Sequence, residues 1–235
     1  MSDRITITVP DGAFEAYIAR PDAAQAPCVV VIQEIFGINA DMRAHCDALA
    51  AKGYIALCPD LFWRLEPGVE LTDQSEAEWA RAMALYKKFN VDKGVDDVAA
   101  TMAAARALPG ATGKIGVMGY CAGGLLTFLT AARHGADAAA AYYGGGTHKY
   151  LGEVAQLNTP LIMHLGEADE YIDQQARSQI ENAVQAKYNI KVYTYPGQNH
   201  AFARVNGKHF DAAAARLANE RTYALFEHYL ISPTA

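Results

Sequence analysis

Short strand-like runs of apolar residues alternate along this chain with segments of helical spacing, and no other feature restricts the fold as strongly. Continuous apolar runs are typical of strands that are covered on both faces. Strands that alternate with helices are joined by crossover connections and form a mostly parallel sheet. The sequence therefore predicts an α/β fold with helices on both faces of the sheet. The predicted strands span residues 28–33, 54–62, 115–119, 138–144, 160–166 and 191–196.

The segments around these runs complete the predicted fold. Ile5–Val9 and Phe14–Ala19 alternate apolar and polar residues around Asp11-Gly12, which indicates an N-terminal antiparallel hairpin. A length of 235 residues suits one sizeable α/β domain, and we expect a single domain over residues 1–235. Helices are predicted over residues 41–52, 76–90, 95–108, 122–135, 148–157, 173–188 and 212–230.

Composition and charge argue against several classes of function. The formal net charge is −6 and no block of lysine or arginine is present, which disfavours a nucleic-acid-binding or membrane-surface protein. The first residues, "MSDRITITVP", are not followed by an apolar signal segment, so we expect a cytoplasmic protein. The four cysteines form no C-x-x-C pair and no tight cluster with histidine, which argues against a zinc site.

One short motif indicates chemistry. The run "KIGVMG" is followed directly by Cys121, so that Gly119-Tyr120-Cys121-Ala122-Gly123 has the spacing of a G-x-S-x-G nucleophile motif with cysteine in place of serine. In such a strand-to-helix turn the central side chain stands above the sheet at a helix N-terminus. The N–H groups there favour a thiolate and can bind an oxyanion. Packing of a small residue at a tight turn is the alternative interpretation.

A nucleophile of this kind needs a base and a group that orients the base. His200 follows the last predicted strand through a short loop, and Asp169 lies early in the loop after "PLIMHLG". Both loops leave the carboxyl edge of a parallel sheet, where function gathers. The chain order Cys121, Asp169, His200 is the nucleophile–acid–base order of α/β-hydrolases. The rival acids in the same loop are Glu167, Glu170 and Asp173.

The chain resembles the dienelactone hydrolase family, small α/β-hydrolases with a cysteine nucleophile, in "VIQEIFGIN", "GYIALCPDLF", "GKIGVMGYCAGG", "AAYYGGG", "NHAFAR" and "LANERT". The similarity extends over nearly the whole chain. It implies an α/β-hydrolase fold with Cys121 as nucleophile, His200 as base and Asp169 as the orienting acid. It also implies that Glu34, in "QEIFG", contacts the thiol. From the residues alone, an exposed loop glutamate or one paired with an arginine is the alternative.

The resemblance implies further site residues. The oxyanion hole is expected from the backbone N–H groups of Ile35 and Ala122. Arg204, in "HAFAR", is expected to bind a substrate carboxylate. Independently of the resemblance, we also name Phe36 as a candidate substrate-binding residue.

The predicted helix over residues 76–90 departs from the family pattern. A family arginine that binds the substrate carboxylate aligns with Trp79, and a family tyrosine aligns with Met83. Arg81 is two residues from Trp79, about 200° around a helix, and Tyr86 is near Met83 but out of register. We name Trp79, Arg81 and Tyr86 as candidate substrate-binding residues. A substrate that is larger or less acidic than the dienelactone of the family is therefore an alternative.

Together these residues predict hydrolysis of dienelactone-type enol lactones through an acyl-thiol intermediate. The alternatives are a general carboxylesterase or thioesterase that uses the same residues, and a non-catalytic ligand-binding protein on the hydrolase fold. The expected partner is a small lactone or ester substrate. We expect no cofactor, no metal, no nucleic acid or membrane partner, and a monomer.

Overall fold

The computed structural model describes residues 4–231, which fall into two compact units, one up to Gly116 and the other from Val117. In each unit strands and helices follow one another along the chain, as the alternation predicts. No helix within the described residues combines the length and the apolar character needed to cross a membrane.

The first unit contains the predicted hairpin and the first parallel strands. β1 (Arg4–Val9) and β2 (Gly12–Ala19) pair antiparallel. β2 also pairs antiparallel with β4 (Ile55–Pro59), and β4 pairs parallel with β3 (Ala26–Ile32), which makes the order β1-β2-β4-β3. Every residue of β3 and β4 is buried, which confirms that these continuous apolar runs are covered strands.

The helices of the first unit begin at side-chain caps. The side chain of Asn90 accepts a hydrogen bond from the N–H of Lys93, which satisfies one of the N–H groups exposed at a helix start. Because of this cap, the third helix begins at residue 91 rather than at the predicted 95. The second helix ends at residue 86, before the predicted 90. The helices are α1 (Ala40–Ala50), α2 (Glu76–Tyr86) and α3 (Val91–Arg106).

The second unit continues the alternation of strands and helices. Its strands are neighbours in the order β5 (Ala111–Tyr120), β6 (Ala138–Tyr142), β7 (Leu161–Gly166) and β8 (Ile190–Tyr195). The first residues of β5 belong to the first unit. β6 pairs parallel with β7, and β7 with β8. In this register Tyr142 lies opposite His164, and His164 lies opposite Tyr193. The carboxyl ends of these strands therefore lie at one edge, from which the loops after them begin.

The helices of the second unit are α4 (Ala122–Arg133), α5 (Gln174–Val184) and α6 (Ala212–Phe226), and α6 continues as a short π-helical turn over Glu227–Ile231. The α-helix predicted over 148–157 is instead a 3₁₀ segment, Thr147–Gln156, with non-helical backbone angles at Tyr150. Gly152, a residue of low helix propensity, lies within this segment and disfavours a regular α-helix.

A buried polar network joins α6 to three strands of the second unit. Nδ1 of His164 lies 2.8 Å from the hydroxyl of Tyr195, and Nε2 lies 3.1 Å from Oγ1 of Thr222. The hydroxyl of Tyr142 lies 2.7 Å from the same Thr222 oxygen and donates to Asn219 at 2.9 Å. Thr222 and Asn219 belong to "LANERT", so this motif connects α6 to β6, β7 and β8.

Burial keeps the ring of His164 neutral. His164 is fully buried. Burial, together with the nearby charge of Arg221, lowers the pKa of His164 from 6.5 to about 3. The unfolded chain binds a proton at this position near pH 6.5, whereas the folded chain binds one only near pH 3, so acid favours unfolding through His164.

We predict that His164→Gln makes the stability less dependent on pH between about pH 7.5 and about pH 5. The folded pKa lies below the unfolded one, so stability is lost as pH falls below 6.5, and His164 accounts for a loss of about 2 kcal/mol at about pH 5. Urea denaturation of both proteins at the two pH values measures this difference. Equal pH dependence in the two proteins would contradict the prediction, whatever the stability of the variant at the higher pH.

Candidate active site

Cys121 lies in a strained turn between a strand and a helix. β5 ends at Tyr120, α4 begins at Ala122, and Cys121 between them has φ 53° and ψ −116°. Its N–H donates to the carbonyl of Tyr142 at 3.1 Å, and its carbonyl accepts from the N–H of Gly124 at 2.9 Å. Positive φ is disfavoured for a residue with a Cβ. This is the sharp turn that the G-x-C-x-G spacing predicts.

A close approach between two glycines holds this turn. A Cβ at Gly124 would overlap the carbonyl oxygen of Tyr142 and lie 2.9 Å from Cα of Gly144. A Cβ at Gly144 would lie 2.8 Å from the backbone of Gly124. The start of α4 therefore packs directly on the backbone that follows β6, and this packing explains the second glycine of "AGG".

Ala122 is the first residue of α4, and its N–H belongs to the helix end where N–H groups lack intrahelical acceptors. Such a group, next to Cys121, suits donation of a hydrogen bond to the oxyanion of a substrate carbonyl that the sulfur attacks. The predicted role of Ala122 is consistent with this position.

Asp169 and His200 are joined by a buried hydrogen bond. Nδ1 of His200 lies 2.8 Å from Oδ2 of Asp169, and the two residues are 5% and 3% exposed. The other carboxylate oxygen of Asp169 accepts from the N–H groups of Tyr171 at 2.8 Å and Ile172 at 3.2 Å. Both oxygens of the carboxylate are therefore fixed, and the carboxylate holds one nitrogen of the imidazole.

The rival acids of the same loop lie elsewhere. Glu167 and Glu170 are exposed. Asp173 caps α5, where its side chain accepts from the N–H of Ala176 at 2.8 Å. Of the four carboxylates, the structure brings Asp169 to His200.

The two loops that carry Asp169 and His200 are tied by backbone contacts. The N–H of Ala168 donates to the carbonyl of Gln198 at 2.9 Å. A Cβ at Gly166 would overlap that same carbonyl oxygen, so the end of β7 requires a glycine to approach the loop after β8. This close approach sets the distance at which Asp169 meets His200.

The imidazole of His200 lies between two tyrosine rings. Its ring centroid is 5.1 Å from that of Tyr143 and 4.8 Å from that of Tyr171, both near perpendicular. Burial lowers the pKa of His200, but the interactions with Cys121 and Asp169 outweigh burial and raise this pKa to about 10. Nε2 makes no hydrogen bond of standard geometry to the described residues.

Arg204 lies four residues after His200 and is 8% exposed. Its N–H donates to the carbonyl of Ala201 at 3.0 Å. A Cβ at Gly207 would lie 3.1 Å from Cδ of Arg204, so the arginine stem packs against this glycine. A buried guanidinium in the loop of His200 is suited to an anionic substrate group, and its predicted role stays a prediction.

In the first unit, Glu34 lies two residues after the end of β3 and is 3% exposed. The alternative of an exposed loop glutamate is therefore wrong. Ile35 is also 3% exposed. The contact of Glu34 with the thiol and the oxyanion role of Ile35 stay predictions.

The candidate pocket residues of the first unit make two aromatic contacts and one ion pair. The rings of Phe36 and Trp79 are 5.8 Å apart, so the structure brings these two candidates together. Tyr86 stacks on Phe89, with ring centroids 6.5 Å apart. Arg81, whose side chain is 55% exposed, forms an ion pair with Glu66.

The sequence reasoning did not single out Tyr143, Tyr171 or His209, which contact His200. Tyr143 follows β6 directly, within "AAYYG", and its position at the carboxyl end of a strand is the signal that could have identified it. Tyr171 and His209 lie in loops without periodic pattern. Within residues 4–231, no group of three or more histidine, cysteine, aspartate or glutamate side chains has an arrangement that could hold a metal ion.

Comparisons with known proteins agree on one family. A model of the dienelactone hydrolase family matches residues 14–230. An Azospirillum brasilense protein assigned as a carboxymethylenebutenolidase is 44% identical over 229 residues, 95% of this chain and 98% of that protein. Carboxymethylenebutenolidase 1 of Cupriavidus pinatubonensis is 39% identical over 226 residues, 96% of each chain.

Among solved structures, a Klebsiella pneumoniae protein assigned as a dienelactone hydrolase matches with a TM-score of 0.84 and 28% identity. The match covers 96% of this chain and 98% of that one. The predicted α/β-hydrolase fold is confirmed by this match together with the strands and helices of the two units.

We predict that Gly124→Ala lowers the free energy of unfolding by about 1–3 kcal/mol, because the added methyl group displaces the carbonyl of Tyr142 that accepts from Cys121. Gly152→Ala is the matched control, since a Cβ there meets nothing within 4 Å. Urea denaturation of both variants measures the effect. Equal free energies of unfolding in the two variants would contradict the close approach between Gly124 and Gly144.

Proposed function

This chain belongs to the dienelactone hydrolase family, and on that basis we propose that it hydrolyses dienelactone-type enol lactones to maleylacetate-type acids. Its relatives named carboxymethylenebutenolidase support a lactone substrate. The observation that carries the proposal is the buried 2.8 Å hydrogen bond between Asp169 and a His200 imidazole whose pKa is raised by Cys121. We assign Cys121 as nucleophile, His200 as acid and base, and Asp169 as the group that orients the imidazole.

In the proposed acylation step, the Cys121 thiolate attacks the lactone carbonyl carbon and forms a C–S bond. The carbonyl electron pair moves to oxygen, to which the N–H of Ala122 donates. When this oxyanion collapses, the ring C–O bond breaks and the enolate oxygen leaves. The imidazolium of His200 gives its proton to the leaving group, and an acyl-thiol remains.

The charge on His200 accounts for its change of role. The thiolate raises the pKa of His200, and acylation removes that negative charge, so burial then favours the neutral ring. The neutral imidazole, still held by Asp169, takes a proton from water as the water oxygen attacks the acyl carbon. Collapse breaks the C–S bond and restores the thiolate and the imidazolium. The cycle uses these side chains and water.

A cysteine nucleophile favours activated esters. A tetrahedral intermediate expels its better leaving group, and a thiolate leaves more readily than an alkoxide or an amine. An enolate is stabilised by conjugation and competes with the thiolate. This chemistry supports enol lactones over amides as the substrate class.

A carboxylesterase or thioesterase that acts on a less acidic substrate is the second candidate. Arg81, the candidate for a second arginine that binds the substrate carboxylate, forms an ion pair with Glu66, and Trp79 packs on Phe36. Rates on cis-dienelactone, trans-dienelactone and p-nitrophenyl esters separate the two candidates. Preference for the p-nitrophenyl esters would favour the second.

We predict that Cys121→Ala loses at least about a thousandfold in kcat on a dienelactone or enol ester, because the acyl-thiol cannot form. Cys28→Ala is the matched control. Its thiol is buried in β3 and burial raises the pKa to about 11, so it is not expected to react. Retained activity in Cys121→Ala would overturn the proposed mechanism.

We also predict that Cys121→Ala lowers the pKa of His200 below about 10, because the thiolate charge that raises it is removed. The imidazole then loses its proton at a lower pH than in the unaltered protein. Nuclear magnetic resonance of ring-labelled histidine, followed through a pH titration, measures both midpoints. Identical midpoints would show that the sulfur does not set the charge of the ring.

A further inference from the structure

The loop that carries His200 has a backbone conformation that its residues do not favour. Within residues 4–231, four residues other than glycine have positive φ: Cys121, Tyr143, Ala201 and Asn206. Ala201 has φ 62° and follows His200 directly. This region is disfavoured for alanine because Cβ crowds the neighbouring backbone. A favourable contact is therefore needed to hold Ala201 in it.

A flip of the peptide between His200 and Ala201 would relieve this strain. Such a flip turns the carbonyl of His200 by about 180° and moves φ of Ala201 by about the same angle, into the region that L-residues prefer. The Cα atoms stay nearly in place, but the carbonyl of His200 reorients and the turn that follows His200 must rearrange. The backbone that carries the imidazole would then hold the ring less firmly against Asp169.

The side chain of His209 binds this carbonyl. Its Nδ1 atom lies 3.1 Å from the carbonyl oxygen of His200, nine residues earlier in the chain. A carbonyl oxygen only accepts hydrogen bonds, so Nδ1 carries the proton. His209 is exposed whereas His200 is buried, so the ring covers the peptide from the solvent side.

Backbone hydrogen bonds hold the rest of the loop. The N–H of Arg204 donates to the carbonyl of Ala201 at 3.0 Å, and the N–H of Asp211 donates to the carbonyl of Phe202 at 2.9 Å. These bonds begin after the peptide in question. The side chain of His209, by contrast, contacts the carbonyl of His200 itself.

We propose that His209 is a positioning residue for His200. Its Nδ1–H group holds the carbonyl of His200 in the orientation that gives Ala201 its disfavoured positive φ. This bond fixes the turn at His200 and so keeps the imidazole aligned with Asp169. The kinetic consequence rests on the proposed function, whereas the hydrogen bond does not. Nothing in the reaction requires His209 to touch the substrate.

The first test compares His209→Ala with His209→Asn, since the amide nitrogen of asparagine can take the place of Nδ1. We expect His209→Ala to lose about fivefold in kcat with little change in KM, as for one lost hydrogen bond, and His209→Asn to stay close to the unaltered protein. Lys208→Ala is the control for a change in the same loop. Equal losses in the two His209 variants, or no loss in either, would overturn the proposal.

The second test adds Ala201→Gly, because glycine adopts positive φ without strain. If His209 holds Ala201 at a positive φ that alanine disfavours, the double variant His209→Ala with Ala201→Gly regains most of the lost kcat. If the effects of the two changes are simply additive, His209 does not act through Ala201.

The third test needs no substrate. Nitrogen-15 spectra of labelled histidines should show a ring protonated at Nδ1 whose signals are absent in His209→Asn. A neutral His209 protonated at Nε2 alone would overturn the proposal. Absence of lactone hydrolysis in the unaltered protein would instead count against the proposed function and leave this hydrogen bond to be judged by the spectra.

Discussion

The parallel register of β6, β7 and β8 is the constraint on which the candidate site depends. Paired residues of these strands lie side by side, so the loops after them begin at one edge. The loop after β7 brings Asp169, the loop after β8 brings His200, and the bend after β6 brings Tyr143 beside the imidazole. The hydrogen bonds of His164 and Thr222 fix the same strands from α6, so a distant helix supports the geometry of the site.

The parts that could be predicted from the sequence depend on neighbours in the chain. Continuous apolar runs predict the strands, and the G-x-C-x-G spacing predicts the turn at Cys121. The selection of Asp169 among four carboxylates could not be predicted from residues alone, because it depends on which side chain faces His200 across two loops. The contacts of Tyr171 and His209 with His200 lie in loops without periodicity. The start of α3 was misplaced because the Asn90 cap, not the apolar spacing, sets it.

Two buried histidines of the second unit show how neighbours decide the effect of burial. Burial disfavours the imidazolium in both. His164 has hydroxyl partners and the positive charge of Arg221 nearby, and its pKa falls to about 3. His200 is hydrogen-bonded to the Asp169 carboxylate and interacts with Cys121, and its pKa rises to about 10. The neutral ring of His164 is suited to a fixed structural contact. The ring of His200 is suited to a charge that changes with its surroundings.

The close approach of Gly124 and Gly144 has a consequence for how this chain can change over time. A methyl group at either position would enter the backbone of the other segment, so the exclusion is mutual. Replacing both residues does not remove it, since each clash is with backbone atoms rather than with a side chain. Selection for folding alone is therefore enough to preserve both glycines. Their persistence in a descendant that had lost its nucleophile would be a record of ancestry and not a sign of activity.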